Sequence, residues 1–142
     1  MLAPSNIKIS FDFDGTLDRK SIQNYAKELI EKGYEVWIVT SRFGDNKKYQ
    51  EFFQTSINVD ITNNDLKEVA NSLGIPEERI HFTNMDDKWP FLKFHDDFLW
   101  HIDDDWIENK NILKYTKTKA ISSLGANWKS KCERLIKKKL ME

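Results

Sequence analysis

Two carboxylates one residue apart, Asp12 and Asp14, close an apolar run and lead into Gly15-Thr16-Leu17. Asp103-Asp104-Asp105 closes a second apolar run, and Thr40-Ser41-Arg42 a third. Side chains alternate along an extended strand, so Asp12 and Asp14 are expected on the same side, with their carboxylates converging on one point. Hard oxygen ligands gathered in this way suit Mg2+, and Asp103 or Asp104 would complete the set. Carboxylates clustered without compensation repel, and a divalent cation is the simplest relief. A solitary aspartate usually caps a helix or fills a turn. That ordinary role accounts poorly for three polar groups that each end an apolar run.

The elements that would position them follow from periodicity. Ile7 to Phe13 reads as a buried strand ending at Asp14-Gly15. With Ser21 as N-cap, Ile22, Tyr25, Ala26, Leu29 and Ile30 then keep helical spacing up to a stop at Gly33. Val36 to Thr40 is the next strand, which makes a β-α-β unit with parallel strands. Over 43–62, Tyr49, Phe52 and Phe53 suggest a helical face, while Ile57 to Ile61 fits a strand or a loop. Asn64 is placed to cap a helix carrying Leu66, Val69, Ala70 and Leu73, ended by Gly74 and Pro76. Ile80 to Phe82 reads as a strand, Asp87 as the cap of a short helix with Pro90 in its first turn, and Phe98 to Ile102 as a strand reaching Asp103. Ala120 to Leu124 is the expected last strand, and Asn127 caps a closing helix.

Alternating strands and helices argue for a single α/β domain over 1–142 with a mostly parallel sheet, whose ligands bind at the carboxyl ends of the strands. The 142 residues, 39% hydrophobic and 32% charged, have the balance of a globular chain. One cysteine, Cys132, forms no intrachain disulfide and favours a reducing compartment. No segment has the length and apolarity of a membrane span or the pattern of a secretory leader, so a cytoplasmic protein without a membrane partner is expected. Charge is uneven. Residues 1–109 hold 12 Lys/Arg against 21 Asp/Glu, a net −9, and residues 110–142 hold 10 against 2, a net +8. A basic terminal helix is more often solvated than bound to an anionic partner.

Asp12-Phe13-Asp14-Gly15-Thr16-Leu17 resembles the first motif of the haloacid dehalogenase superfamily of phosphohydrolases. Thr40-Ser41-Arg42 is similar to its second motif and His101-Ile102-Asp103-Asp104 to its acidic fourth, so the resemblance spans 7–108. It implies a Rossmann-like three-layer domain and a Mg2+-dependent phosphatase in which Asp12 attacks phosphorus and Asp14 serves as acid and then base. Gly15, Thr40 and Ser41 would bind the phosphoryl group. The family's third-motif lysine has two candidates, Lys88 and Lys93; Lys88 is preferred for its place at a helix N-terminus before Trp89-Pro90-Phe91-Leu92. Asp12, Asp14, Asp103 and Asp104 are the implied metal set, with Asp103 positioning Lys88 and Glu108 replacing the usual aspartate.

The intervals between motifs leave no room for a sizeable cap, which implies an open site. The phosphorylated substrate is then either a small phosphomonoester or a nucleic-acid end. Two rivals remain: a non-catalytic phosphoacceptor domain and a nucleic-acid-binding domain on the same fold. Phosphoacceptor receiver domains place the acceptor on a later strand than their paired acids, which speaks against the first. His81, His95 and His101 occupy no recognisable catalytic or metal-ligand spacing.

Overall fold

The computed structural model describes residues 3–53 and 62–142; the segment from Ile57 to Ile61 lies outside them. In chain order the elements are β1 (Lys8–Phe11), α1 (Lys20–Glu31), β2 (Glu35–Thr40), α2 (Asn46–Phe53), α3 (Asn64–Leu73), β3 (Ile80–Phe82), α4 (Trp89–His95), β4 (Phe98–Asp103), α5 (Trp106–Tyr115), β5 (Lys119–Ser122) and α6 (Trp128–Leu140). The five strands form one sheet in the order β3-β2-β1-β4-β5, and every pairing is parallel. The chain is therefore α/β with a Rossmann-like, three-layer architecture, and among the described residues no large cap stands over the sheet.

Strand alternation decides which helices cover which face. Ile9 and Phe11 of β1 and Val36 and Ile38 of β2 join a cluster with Ile22, Tyr25 and Leu29 of α1, Leu66 of α3 and Ile136 of α6. Val39 joins Leu92 of α4 and Ile112 of α5 on the opposite face, with Trp37 packed against them. In β4 an irregularity shifts the register, so that Lys8 pairs with Phe98 but Ile9 with Trp100. Phe98 accordingly packs with α4 and α5, while Trp100 and Ile102 fill the α1 side. The same parity sends Ser10 and Asp12, and His101 and Asp103, toward the α4 face.

Several boundaries differ from the sequence expectation. Helix α1 starts at Lys20 with Arg19, not Ser21, in the cap position; the Arg19 guanidinium donates to the Ser123 carbonyl at 2.7 Å instead. Asn63 rather than Asn64 precedes α3, and its amide donates to the Phe43 carbonyl at 2.7 Å. Lys88, not Asp87, occupies the cap position of α4, and Glu108 accepts its N–H at 3.0 Å in place of a local cap. Strand β5 ends at Ser122, two residues early. Helix α5 has no counterpart in the expected elements. Its cap is Asp105, whose carboxylate accepts from the Ile107 and Glu108 N–H groups, so this third acid of the cluster caps a helix. Gly33 (φ 97°) and Gly74 (φ 82°) end α1 and α3 in the left-handed region, as their positions suggest. No helix among the described residues is long and apolar enough to cross a membrane.

Candidate active site

The order of the sheet reverses between β1 and β4, and the carboxyl ends of these two strands carry Asp12 and Asp103. Asp12 extends the pairing by donating its N–H to the Ile102 carbonyl at 2.8 Å. The chain then leaves the sheet in a wide turn, closed by Leu17 N–H to the Asp12 carbonyl and Asp18 N–H to the Phe13 carbonyl, both at 3.1 Å. The expectation that Asp12 and Asp14 converge by strand alternation fails here, because the strand ends at Phe11. Asp14 points instead to Arg42, which donates from Nε at 2.9 Å and from Nη2 at 2.7 Å. Arg42 also grips Asp65 at the start of α3 with bonds of 2.7 and 2.9 Å and lies 4.8 Å over the Phe13 ring. Its pairing with Asp65 holds that carboxylate below its ordinary pKa. Asp14 thus lines the cavity as a group oriented by Arg42, outside the carboxylate cluster.

Lys88 is the centre of the site. Though only 2% exposed, its ammonium donates to Asp12 Oδ1 at 2.8 Å and to Asp103 Oδ2 at 2.5 Å. Burial opposes a charge at this position, but the two carboxylates outweigh it and hold Lys88 protonated above its ordinary range. Asp103 also feels burial, yet donors from His101 and Lys88 hold it well below the usual carboxylate range. Asp12 moves the other way: burial, with the neighbouring Asp103 charge, pushes it up in spite of Lys88. The difference has a plain cause. Asp103 accepts from Lys88, from His101 Nε2 at 2.8 Å and from the Asp105 N–H at 3.0 Å, whereas Asp12 has Lys88 and a long 3.5 Å contact from the Thr16 hydroxyl.

One oxygen each from Asp12, Asp103 and Asp104 lie within 4.8 Å of one another. The Asp104 carboxylate sits against the backbone of Gly15, where a Cβ would come within 2.2 Å of it. Burial raises the Asp104 pKa. An all-oxygen set of this kind fits Mg2+. Asp103 already accepts three protein hydrogen bonds, so Asp12 and Asp104 have more capacity left to hold the ion. Gly15 also has φ 76°, so Gly15→Ala adds backbone strain to the clash with Asp104. We expect that variant to lose about 1 to 3 kcal/mol in chemical denaturation and to show a smaller rise in Tm on adding Mg2+ than the wild type.

Asp12, Asp14, Ser41, Lys88, Asp103 and Asp104 line one cavity, and Met85, Asp86, Asp105 and Glu108 complete its wall. Thr40 lies fully buried beside it, its hydroxyl accepting the Arg42 N–H at 3.2 Å. Lys93 is exposed on α4 outside that wall, so Lys88 is the lysine that reaches Asp12. Sequence reasoning missed Met85, Asp86, the Arg42 clamp and the His101 contact. Met85 and its neighbour Asn84 both have positive φ, 68° and 55°, a turn that no glycine or proline marks in the sequence. The chain matches no protein-family model, no curated protein and no solved structure. Its candidate chemistry rests on the geometry of its own residues.

Proposed function

We propose that the protein is a Mg2+-dependent phosphohydrolase of the haloacid dehalogenase type, cleaving a phosphomonoester through an aspartyl-phosphate on Asp12. The observation that carries this reading is the Lys88 ammonium between Asp12 and Asp103, beside Asp104, at the reversal point of the sheet. A carboxylate flanked by a buried cation and by an oxygen set suited to Mg2+ is arranged to meet a phosphoryl group whose charge must be neutralised before an anion can attack it.

Asp12 attacks phosphorus, the bond to the leaving oxygen breaks, and that oxygen takes a proton from Asp14. Water then attacks the acyl-phosphate, Asp14 accepts its proton, and the Asp12–phosphorus link breaks to release inorganic phosphate. Lys88 neutralises phosphoryl oxygens throughout, and Ser41 at the cavity wall offers them a hydroxyl. Mg2+ held by Asp12 and Asp104 would supply further positive charge to those oxygens. Arg42 holds the Asp14 carboxyl group by two hydrogen bonds, so proton transfer to and from the leaving oxygen and water requires release from that clamp. Asp14→Asn is expected to lower kcat by about 10² to 10⁴ with little change in KM, measured with an aryl phosphate. A change in KM alone would remove Asp14 from proton transfer.

Exposed Asp86 and Asp105 border the cavity, and a polyanion would meet them on approach. Helix α6 turns Cys132 and Ile136 into the core, and two of its lysines already pair with acids, Lys129 with Glu28 at 3.5 Å and Lys139 with Glu142 at 3.1 Å. A small phosphomonoester is therefore the substrate class we favour over a nucleic-acid end. Hydrolysis of p-nitrophenyl phosphate and of a panel of phosphorylated metabolites, with Mg2+ and with EDTA, tests the reading. Absence of Mg2+-dependent turnover across that panel would reject it.

A further inference from the structure

The buried polar chain continues past the residues used above. His101, fully buried in the middle of β4, bonds Asp103 Oδ2 through Nε2 at 2.8 Å and the Ser10 hydroxyl through Nδ1 at 2.7 Å. Ser10 is also fully buried and is the register partner of His101 across β1 and β4. Elsewhere in these central strands the buried positions are mostly aliphatic or aromatic. A hydroxyl and an imidazole there cost desolvation that only complete hydrogen bonding offsets. Both nitrogens are bonded, and the partners assign the proton. A carboxylate only accepts, so Nε2 carries the hydrogen, and Nδ1 accepts from Ser10.

We infer that His101 is a positioning residue: its Nε2–H orients Asp103, and through Asp103 it sets where the Lys88 ammonium stands beside Asp12. This rests on the phosphoryl chemistry proposed for Asp12, but its geometry does not. Asp103 Oδ2 receives two donors, His101 from the strand and Lys88 from the head of α4, while Oδ1 is fixed by the Asp105 N–H. Without the imidazole donor, Oδ2 has only the lysine to hold it. The carboxylate can then pivot about the Oδ1 bond to the Asp105 N–H and carry Lys88 with it, and the ammonium loses its fixed distance to Asp12. A shift of that size at a reacting centre lowers the rate far more than it lowers stability.

Two near-isosteres separate the nitrogens. In His101→Gln the side-chain amide reaches the place of Nε2 and keeps a donor to Asp103; in His101→Asn it reaches only the place of Nδ1 and keeps Ser10. With p-nitrophenyl phosphate and Mg2+, the glutamine variant is expected to retain nearly wild-type kcat, and the asparagine variant to fall by about 10- to 100-fold, the usual scale for removing an outer partner of a site. Acylation with acetic anhydride, read by mass spectrometry, gives a second readout that needs no turnover: Lys88 stays protected in the wild type and His101→Gln and becomes reactive in His101→Asn. Equal losses in both variants, or a protected Lys88 and full kcat in His101→Asn, would overturn the inference. Lys88 exposure confined to His101→Asn in a protein that hydrolyses no phosphomonoester would support the positioning and reject the phosphatase reading. Whether or not either variant folds, nitrogen NMR of the wild type should find neutral His101 protonated at Nε2, and the Nδ1–H tautomer would overturn the assignment.

Discussion

Asp12→Asn is expected to abolish phosphomonoester turnover, by on the order of 10⁴-fold or more, and at neutral pH without metal to leave a protein more stable than the wild type. An amide cannot attack phosphorus as a carboxylate does, which removes the first step. The stability gain comes from the same site. One ammonium serves two buried carboxylates, and Asp12 is the poorly satisfied one, its pKa pushed up by burial. A carboxyl raised in the folded state costs stability once the pH exceeds its unfolded value, about 3.9. Replacing it with an amide therefore raises Tm at pH 7, and the advantage fades as the pH falls below that value, where both proteins are neutral at this position. Mg2+ should reverse the order, since an ion held by Asp12 and Asp104 would stabilise the wild type and would find half of that pair missing in the variant. Thermal melts across pH, with Mg2+ and with EDTA, together with kcat, check all three. Wild-type turnover in Asp12→Asn would end the mechanism, and a lower metal-free Tm at pH 7 would end the account of the buried charges.

The gathering of the site at one sheet edge is legible because each of its strands ends in a polar group that periodicity exposes. Asp12, Thr40 and Asp103 mark the ends of β1, β2 and β4, and parallel pairing brings them to one edge. Lys88 stands out through the resemblance, as a lysine at a helix N-terminus before Trp89-Pro90-Phe91-Leu92. What alternation misjudged was Asp14, since a period of two holds only while the backbone stays extended, and the chain leaves the sheet after Asp12. Helix α5 escapes the sequence because Asp105 sits beside Asp103 and Asp104 at the end of an apolar run, where a cap is masked by its acidic neighbours. The apolar spacing of Ile107, Ile112 and Leu113 behind it is short, and Ile107 and Leu113 are exposed. The polar chain under the site has a sequence signal of its own. Ser10 and His101 each stand two residues before an aspartate of the candidate site, which on a strand is the same face. Arg42 was named only as a motif neighbour, because its partner Asp65 lies 23 positions away and nothing local announces it.

Lys88→Met separates the lysine's place in the fold from its place in the chemistry, and the double variant with Asp12→Asn is the stronger test. Methionine fills a similar volume but leaves Asp12 and Asp103 buried and facing each other without a cation. Removing one partner of a buried ion pair costs about 3 to 5 kcal/mol, which for a domain of this size lowers Tm on the order of 10 °C. The deficit should be greatest near neutral pH. In the wild type Asp103 is held ionised by Lys88 and His101, so its contribution to stability is present above the ordinary carboxylate pKa and lost as the pH falls through the depressed one. Without the ammonium that contribution is gone, and protonation of one carboxyl on acidification narrows the gap between the two proteins. Adding Asp12→Asn to Lys88→Met removes the second buried charge and leaves Asp103 with its His101 and Asp105 donors. The double variant should therefore recover most of the lost Tm, a coupling expected of groups in direct contact, while turnover stays absent. Independent, additive losses of stability would mean that Lys88 does not bridge the two carboxylates in solution. Full turnover in Lys88→Met would show that the phosphoryl oxygens draw their neutralising charge from elsewhere.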